Sequence, residues 1–369
     1  MRRKLYSVSW FESRVLLLSF LVAVSGCKHV SEPPVVKNPR EYTWTIDTLA
    51  YPNSFQTSMR DIWGSSANDV YVVGHNDQAF GKMWHYDGSR WEPVRLHILE
   101  GGPLPNIGSL SAIYGFSAND IWAVGEKIFY NPNPPPNFLD SSLIIHYDGV
   151  KWSEHKVSGR ALTSVWGSSP SDIWVGGRDG LIHHFNGSVW QRVALDSSLQ
   201  SLDYPLQILS IGGFSGADVY ATAAKPDQVP PIDSTVIYLY HFNGEGWSRE
   251  DSLLSTVGLE RWQFGPRLRM IGSALYSAGG GVFRKEAGGW LRLLDDRRVG
   301  AVAGVSGDNL FAAGNKVYHY NGVDWYLYRQ LPDFNAISTS VWTDGTEVFV
   351  VEEMVGAGYA TITLILHGK

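Results

Sequence analysis

Between Ser164 and Trp190 the chain reads SVWGSSPSDIWVGGRDGLIHHFNGSVW, three short apolar runs separated by turn-forming residues. Val165 and Trp166 stop at Gly167, Ile173 to Val175 stop at Gly176 and Gly177, and Leu181 to Phe185 stop at Asn186 and Gly187. Runs of about four to eight residues rich in Val, Ile and aromatics, bounded by Gly, Pro, Asn, Asp and Ser, predict strands joined as hairpins. With the run from Gln191 to Leu195 the pattern predicts four consecutive antiparallel strands. A sheet that small buries neither face alone and needs copies of itself on both sides.

The copies are in the same chain. One half-motif is an apolar residue, an aromatic and Gly, then a Ser-containing turn, then Asp before another apolar and aromatic pair. It occurs at Ile62 to Tyr71, Ile113 to Trp122, Val165 to Trp174 and, in looser form, Ile211 to Tyr220, with the Asp at Asp69, Asp120, Asp172 and Asp218. Further loose versions put Asn309 and Glu347 at the Asp position. The second half-motif is His, aromatic, Asp or Asn, Gly, two residues and Trp: His85 to Trp91, His146 to Trp152, His184 to Trp190, His241 to Trp247 and His319 to Trp325. A degenerate version, Arg284 to Trp290, stands where the period requires another.

The last copy stops at His367, Gly368 and Lys369, just before a Trp is due, while Trp44 begins a strand-like run that no repeat precedes. A strand from the N-terminus completing the last sheet closes a ring. The predicted fold is therefore all-β, a seven-bladed β-propeller of four-stranded antiparallel blades, closed by an outer strand within 41–49. The blades are expected at 58–100, 108–157, 160–197, 205–253, 265–295, 298–330 and 336–367 with 41–49.

With strands named a to d from the axis outward, the a–b and c–d turns repeat and the b–c and d–a connections vary. The two variable sets share one end of every sheet, so one face is regular and the other diversified, and loops that change on a constant scaffold are where function resides. The diversified face is expected to carry 75–82, 127–141, 225–234, 261–264, 295–298 and 332–334. Tyr130, Phe138, Trp262 and Phe264 are aromatics there with no place in the repeat; with Arg261 and Phe334 they are the candidate binding-face residues, since aromatics and Arg anchor interfaces.

The recurring histidines do not predict a metal site. They fall one per blade around a ring, whereas a metal draws its ligands to about 2.0–2.2 Å of one point. Strand geometry instead brings each His opposite the Asp of its own blade, predicting hydrogen bonds from His85 to Asp69, His146 to Asp120, His184 to Asp172 and His241 to Asp218. Blade five, lacking the Asp, also lacks the His. The Trp residues, Trp91, Trp152, Trp190, Trp247 and Trp325, are expected to pack between blades. The Asp-Gly or Asn-Gly turn before each Trp resembles, distantly, the Asp-box hairpin of sialidase-like propellers. That resemblance implies a glycosidase built on an arginine cluster with a Tyr and acidic residues; here the inner strands offer only Arg60, Asp61, Arg267 and Arg269. No nucleophile elbow, phosphate loop or cofactor motif is present, and no cofactor is expected.

The N-terminus changes the picture of location. Arg2, Arg3 and Lys4 precede an apolar run, Val15 to Val24, that is too short to span a bilayer, and Val24-Ser25-Gly26-Cys27 closes it with the chain's single Cys. This ending resembles a bacterial lipobox, which implies cleavage before Cys27 and a lipid on its new N-terminus. The expected organisation is a signal peptide over 1–26, a lipidated Cys and Pro-rich tether over 27–40, and the propeller over 41–369. Lys28 in place of Asp favours the outer membrane. Without residues 1–26 the chain keeps 26 basic and 35 acidic side chains, a formal charge of −9, with no basic stripe, and nucleic acid is not an expected partner. The whole repeat region resembles bacterial secreted propellers of WGSxxxDVWxVG and HYDGxxW repeats. It is expected to be a non-catalytic envelope protein binding another protein, with glycan binding or glycosidase activity as alternatives, on the diversified face.

Overall fold

The computed structural model describes residues 37–133, 137–195, 206–226, 234–256, 263–333, 336–356 and 360–369. They form seven four-stranded sheets, six with strands in sequence order and one assembled from both ends of the chain. The six are blades one to six, at 57–93, 109–155, 162–194, 207–256, 267–294 and 301–327. In blade seven Trp44–Leu49 is strand d, paired antiparallel with Thr361–Gly368 from Trp44 opposite Gly368 to Leu49 opposite Thr363. The fold is the expected closed propeller. Ordered packing starts slightly earlier than the sequence pattern suggests: Arg40 pairs with Asp324 at 2.6 Å, the Tyr328 hydroxyl donates to the Pro39 carbonyl at 2.7 Å, and Thr43 and Lys369 exchange backbone hydrogen bonds.

Two side-chain systems hold neighbouring blades together. The first is the Trp at the head of each strand d, which leans on the preceding blade. Trp190 lies 6.1 Å from Trp122, Trp247 lies 5.8 Å from Trp174, and Trp91 lies 6.2 Å from Phe349 across the closure. Trp152 packs with Val73 and Met83 of blade one, and the Trp325 indole donates to the Leu293 carbonyl at 2.8 Å. The second is the aromatic before Gly on strand a, which lies flat on the next blade. A Cβ placed on Gly115 would come within 2.6 Å of the Trp63 ring, and one on Gly64 within 2.9 Å of Trp342, so the Gly of the repeat is required by close approach.

Within blades the His and Asp of the repeat meet as the sequence predicts. The Nε2 to Oδ1 distances are 2.7 Å for His85 and Asp69, 2.9 Å for His146 and Asp120, 2.5 Å for His184 and Asp172, and 2.8 Å for His241 and Asp218. Each of these imidazoles also stacks on the aromatic two residues after its Asp, with centroids 4.0–4.3 Å apart. His319 takes Asn309 at 3.2 Å and His367 takes Glu347 at 2.5 Å, so the arrangement survives substitution of the acceptor. Blade five replaces it with Arg284 opposite Tyr276.

The c–d turns explain their own spelling. Asp87 Oδ1 accepts from the backbone N–H groups of Ser89 and Arg90 at 2.8 and 3.0 Å, and Asn186 and Asn321 repeat the geometry. Gly88 between them sits at φ +91°, a left-handed conformation that Gly adopts without strain.

Candidate functional site

Two features of the ring carry chemistry that the blade repeat does not require: the axial channel and the long-hairpin face. Strand a of every blade lines the channel. At its short-turn end Trp63, Tyr114, Trp166 and Trp342 occupy equivalent places, followed around the ring by Gly212, Arg269 and Ala303, about a cavity of about 460 Å³. At the long-hairpin end a second cavity of about 280 Å³ is lined by Arg60, Asp61, Arg267 and Arg269 among small and hydroxylated residues.

Asp61 and Arg269 line both cavities and stand between them. Arg269 of blade five reaches across the axis to Asp61 of blade one, Nη2 to Oδ1 3.5 Å. Asp61 also accepts the backbone N–H of Ile113 in blade two at 3.0 Å and the Ser340 hydroxyl of blade seven at 2.8 Å. Blades three and four have Ser at its place in strand a: Ser164 and Ser210 likewise accept backbone N–H groups from the following blade, Ile211 at 2.8 Å and Leu268 at 3.1 Å. Asp61 is thus a blade-to-blade brace with a charge added. Its acceptor sites are taken up by three blades, which does not suit a free catalytic acid or nucleophile.

The other two arginines have neutral partners. Arg60 donates to the Ser109 hydroxyl at 3.2 Å, and Arg267 donates to the Thr339 carbonyl. Arg267 is exposed, yet only to the channel. The surrounding walls desolvate its guanidinium and, with Arg269 beside it, hold its pKa below the ordinary arginine value, while Asp61 acts in the opposite sense.

The long-hairpin face is uneven. In blade one the 75–82 loop is tied down: the Lys82 ammonium is buried and donates to the carbonyls of Asn76 at 2.7 Å and Gln78 at 2.8 Å, and burial pushes its pKa down to about 8. Blade two does the opposite. Its strands Asp120–Tyr130 and Phe138–Tyr147 stay paired out to Tyr130 opposite Phe138, making an arm beyond the ring. Ile128, Phe129, Tyr130, Phe138 and Leu139 are all exposed on it, Tyr130 by 71% and Phe138 by 61%. Ile98, Leu99, Leu254, Ile337 and Val355 add further exposed apolar side chains at the same end of their blades.

The candidate residues separate accordingly. Tyr130 and Phe138 are displayed, with ring centroids 5.9 Å apart. Phe264 is a correction. It is fully buried with Ile237 and Leu239 of blade four and stacks on Trp290 at 5.5 Å, because blade five needs an aromatic there to meet its own strand-d Trp. Arg261, Trp262, Phe334 and Cys27 lie outside the described residues. Among the described residues no group of His, Cys, Asp and Glu side chains is arranged to hold a metal ion. The sequence reading missed Ile128, Phe129 and Leu139, since it took 127–141 as a loop on account of its prolines. The apolar triplet Ile128 to Tyr130 and the pair Phe138 and Leu139, flanking the Asn and Pro run, were the signal of a hairpin. It also did not foresee that Arg60, Arg267 and Arg269 share a cavity, because no spacing rule relates blade one to blade five.

No family model matches the chain, and no curated protein matches it by sequence. Solved structures do. The structure titled "YCF48 bound to D1 peptide" is similar with a TM-score of 0.55 at 13% identity, over 89% of this chain and 97% of that one. The likeness is one of fold. U3-55K (TM-score 0.53, 10% identity, 87% of this chain and 98% of that one) and the Dos1 propeller (0.53, 9%, 87% and 94%) are alike in the same sense.

Proposed function

We propose that this protein is a non-catalytic, lipid-anchored propeller of the bacterial cell envelope, held at the outer membrane, that binds another protein with its long-hairpin face. The observation that carries the reading is the blade-two arm. Five large apolar side chains are exposed together on a two-stranded extension, and further exposed apolar residues stand at the same end of blades one, four and seven. Soluble proteins rarely leave apolar surface contiguous unless a partner covers it. A fold shared with a propeller solved bound to a peptide is consistent with this use of the scaffold. The lipobox-like ending at Cys27 supports export and anchoring.

The segment 37–369 contains every strand of the ring and serves as bait. Envelope extracts should yield a stoichiometric partner that is lost with Phe129→Ser/Tyr130→Ser/Phe138→Ser and retained with Val150→Ser, an exposed apolar residue of a short turn. A partner indifferent to the arm substitutions overturns the docking face. Incorporation of a fatty-acid analogue by the full chain should disappear with Cys27→Ser.

A further inference from the structure

At the long-hairpin end of the channel three guanidiniums share a cavity with one carboxylate, and that carboxylate is already engaged. Asp61 accepts from Ile113, Ser340 and Arg269. Among the described residues Arg60 and Arg267 have only a hydroxyl and a carbonyl oxygen as partners. Two acids on strand b of the flanking blades are held by hydroxyls: Glu126 accepts from Ser109 at 2.8 Å, and Glu353 accepts from Ser58. Guanidiniums gain most from planar, charged oxygen pairs, and a neutral acceptor leaves much of that capacity unused. Enclosure sharpens the point. Arg267 is desolvated by the walls and repelled by Arg269, so an entering anion relieves both costs.

We propose that this cavity is an oxyanion pocket that receives a carboxylate of an acidic peptide segment, from a Glu or Asp side chain or from a chain terminus. The inference rests on the protein-binding reading above and names the chemistry of the segment that the long-hairpin face presents to the axis. Volume selects the ligand. About 280 Å³ takes one or two extended side chains or a terminus, and the cavity lies in a chain of net charge −6, so a long polyanion meets repulsion everywhere except inside. The exposed apolar side chains at the same end of the blades give such a segment its remaining contacts.

The test uses the 37–369 segment and fluorescein-labelled pentaglutamate as free acid, pentaglutamate amide and pentaglutamine amide, read by fluorescence anisotropy. Pentaglutamate should bind at least about tenfold more tightly than pentaglutamine, and the free acid against the amide tells a terminus from a side chain. Arg60→Gln/Arg267→Gln should abolish the preference while melting like wild type, and Arg90→Gln, an exposed cation away from the channel, should leave it intact. Equal binding of the Glu and Gln peptides, or a preference that survives the double variant, overturns the proposal. So does inorganic phosphate displacing pentaglutamate at equal concentration, which would mark a site for free anions. The two readings fail separately. A captured partner lost with the arm variant but unaffected by the arginine variant leaves docking standing and removes the pocket. Arginine-dependent pentaglutamate binding without any captured partner does the reverse.

Discussion

Arg269 and Asp61 meet across the axis of the ring at 3.5 Å, joining blade five to blade one through the channel that separates them. Asp61 is at the same time bonded to blades two and seven. Asp61→Ala strands the Ile113 N–H and should cost about 1–3 kcal/mol in urea unfolding. Asp61→Ser, which installs the residue type of Ser164 and Ser210, should recover most of that loss, because the brace needs a hydroxyl acceptor more than a charge. Equal destabilisation by both substitutions would show that the charge pair, not the brace, stabilises the ring.

Two buried groups give stability opposing pH dependences. His319 is almost fully buried and has Asn309 where other blades have Asp; burial, with Arg40 nearby, holds its pKa down to about 4. A folded-state value below the unfolded one means that its contribution is lost as pH falls from about 6.5 towards 4. Glu352 is also buried, and burial raises its pKa to about 7, so the fold favours its protonated form and stability is lost as pH rises from about 4.5 to 7. Each effect is on the order of 2–3 kcal/mol, and the two offset one another between about pH 4.5 and 6.5. Glu352→Gln should leave a protein that gains stability with pH across this window and exceeds wild type at pH 8. Unfolding free energies measured from pH 4.5 to 8 decide it; an unchanged pH slope in the variant rules out the assignment.

Asn309→Asp supplies the missing carboxylate to His319. It should raise the imidazole pKa, followed by its NMR titration, and shrink the loss of stability on the acid side. The neighbouring ring of Phe311, 4.9 Å from His319, is already in place for the stack seen in other blades.

Close approach between blades predicts a contrast between glycines. Gly115→Ala drives a methyl into the Trp63 indole and should cost about 1–3 kcal/mol with a change in tryptophan fluorescence. Gly246→Ala meets nothing within 4 Å and should be neutral or slightly stabilising. A silent Gly115→Ala would mean that the strand-a aromatics are not seated on their neighbours.

The fold was legible because each blade states itself in the sequence: the Asp and His fall at fixed distances from turns that set register, so their meeting at 2.5–2.9 Å follows from one hairpin's geometry. The closure was legible from what was missing, a Trp at one end and a repeat at the other. The site was legible only in pieces. Tyr130 and Phe138 stood out against the repeat and are displayed, but Phe264 stood out equally and is buried, since an irregular blade fills its core with residues the repeat does not name. Contacts across the axis depend on how seven sheets are spaced around it, and no local pattern encodes that spacing. Arg60 and Arg267 could therefore be recognised as inward-facing without being recognised as neighbours of one cavity.

The position of the chain's entry into the ring gives the molecule a polarity. Lys37 reaches the Lys369 carbonyl and Arg40 reaches Asp324 in a c–d turn, so the polypeptide joins the ring at its short-turn end. The plain side of the ring is thus the side on which the first described residues enter it, and the blade-two arm and the arginine mouth open on the opposite side.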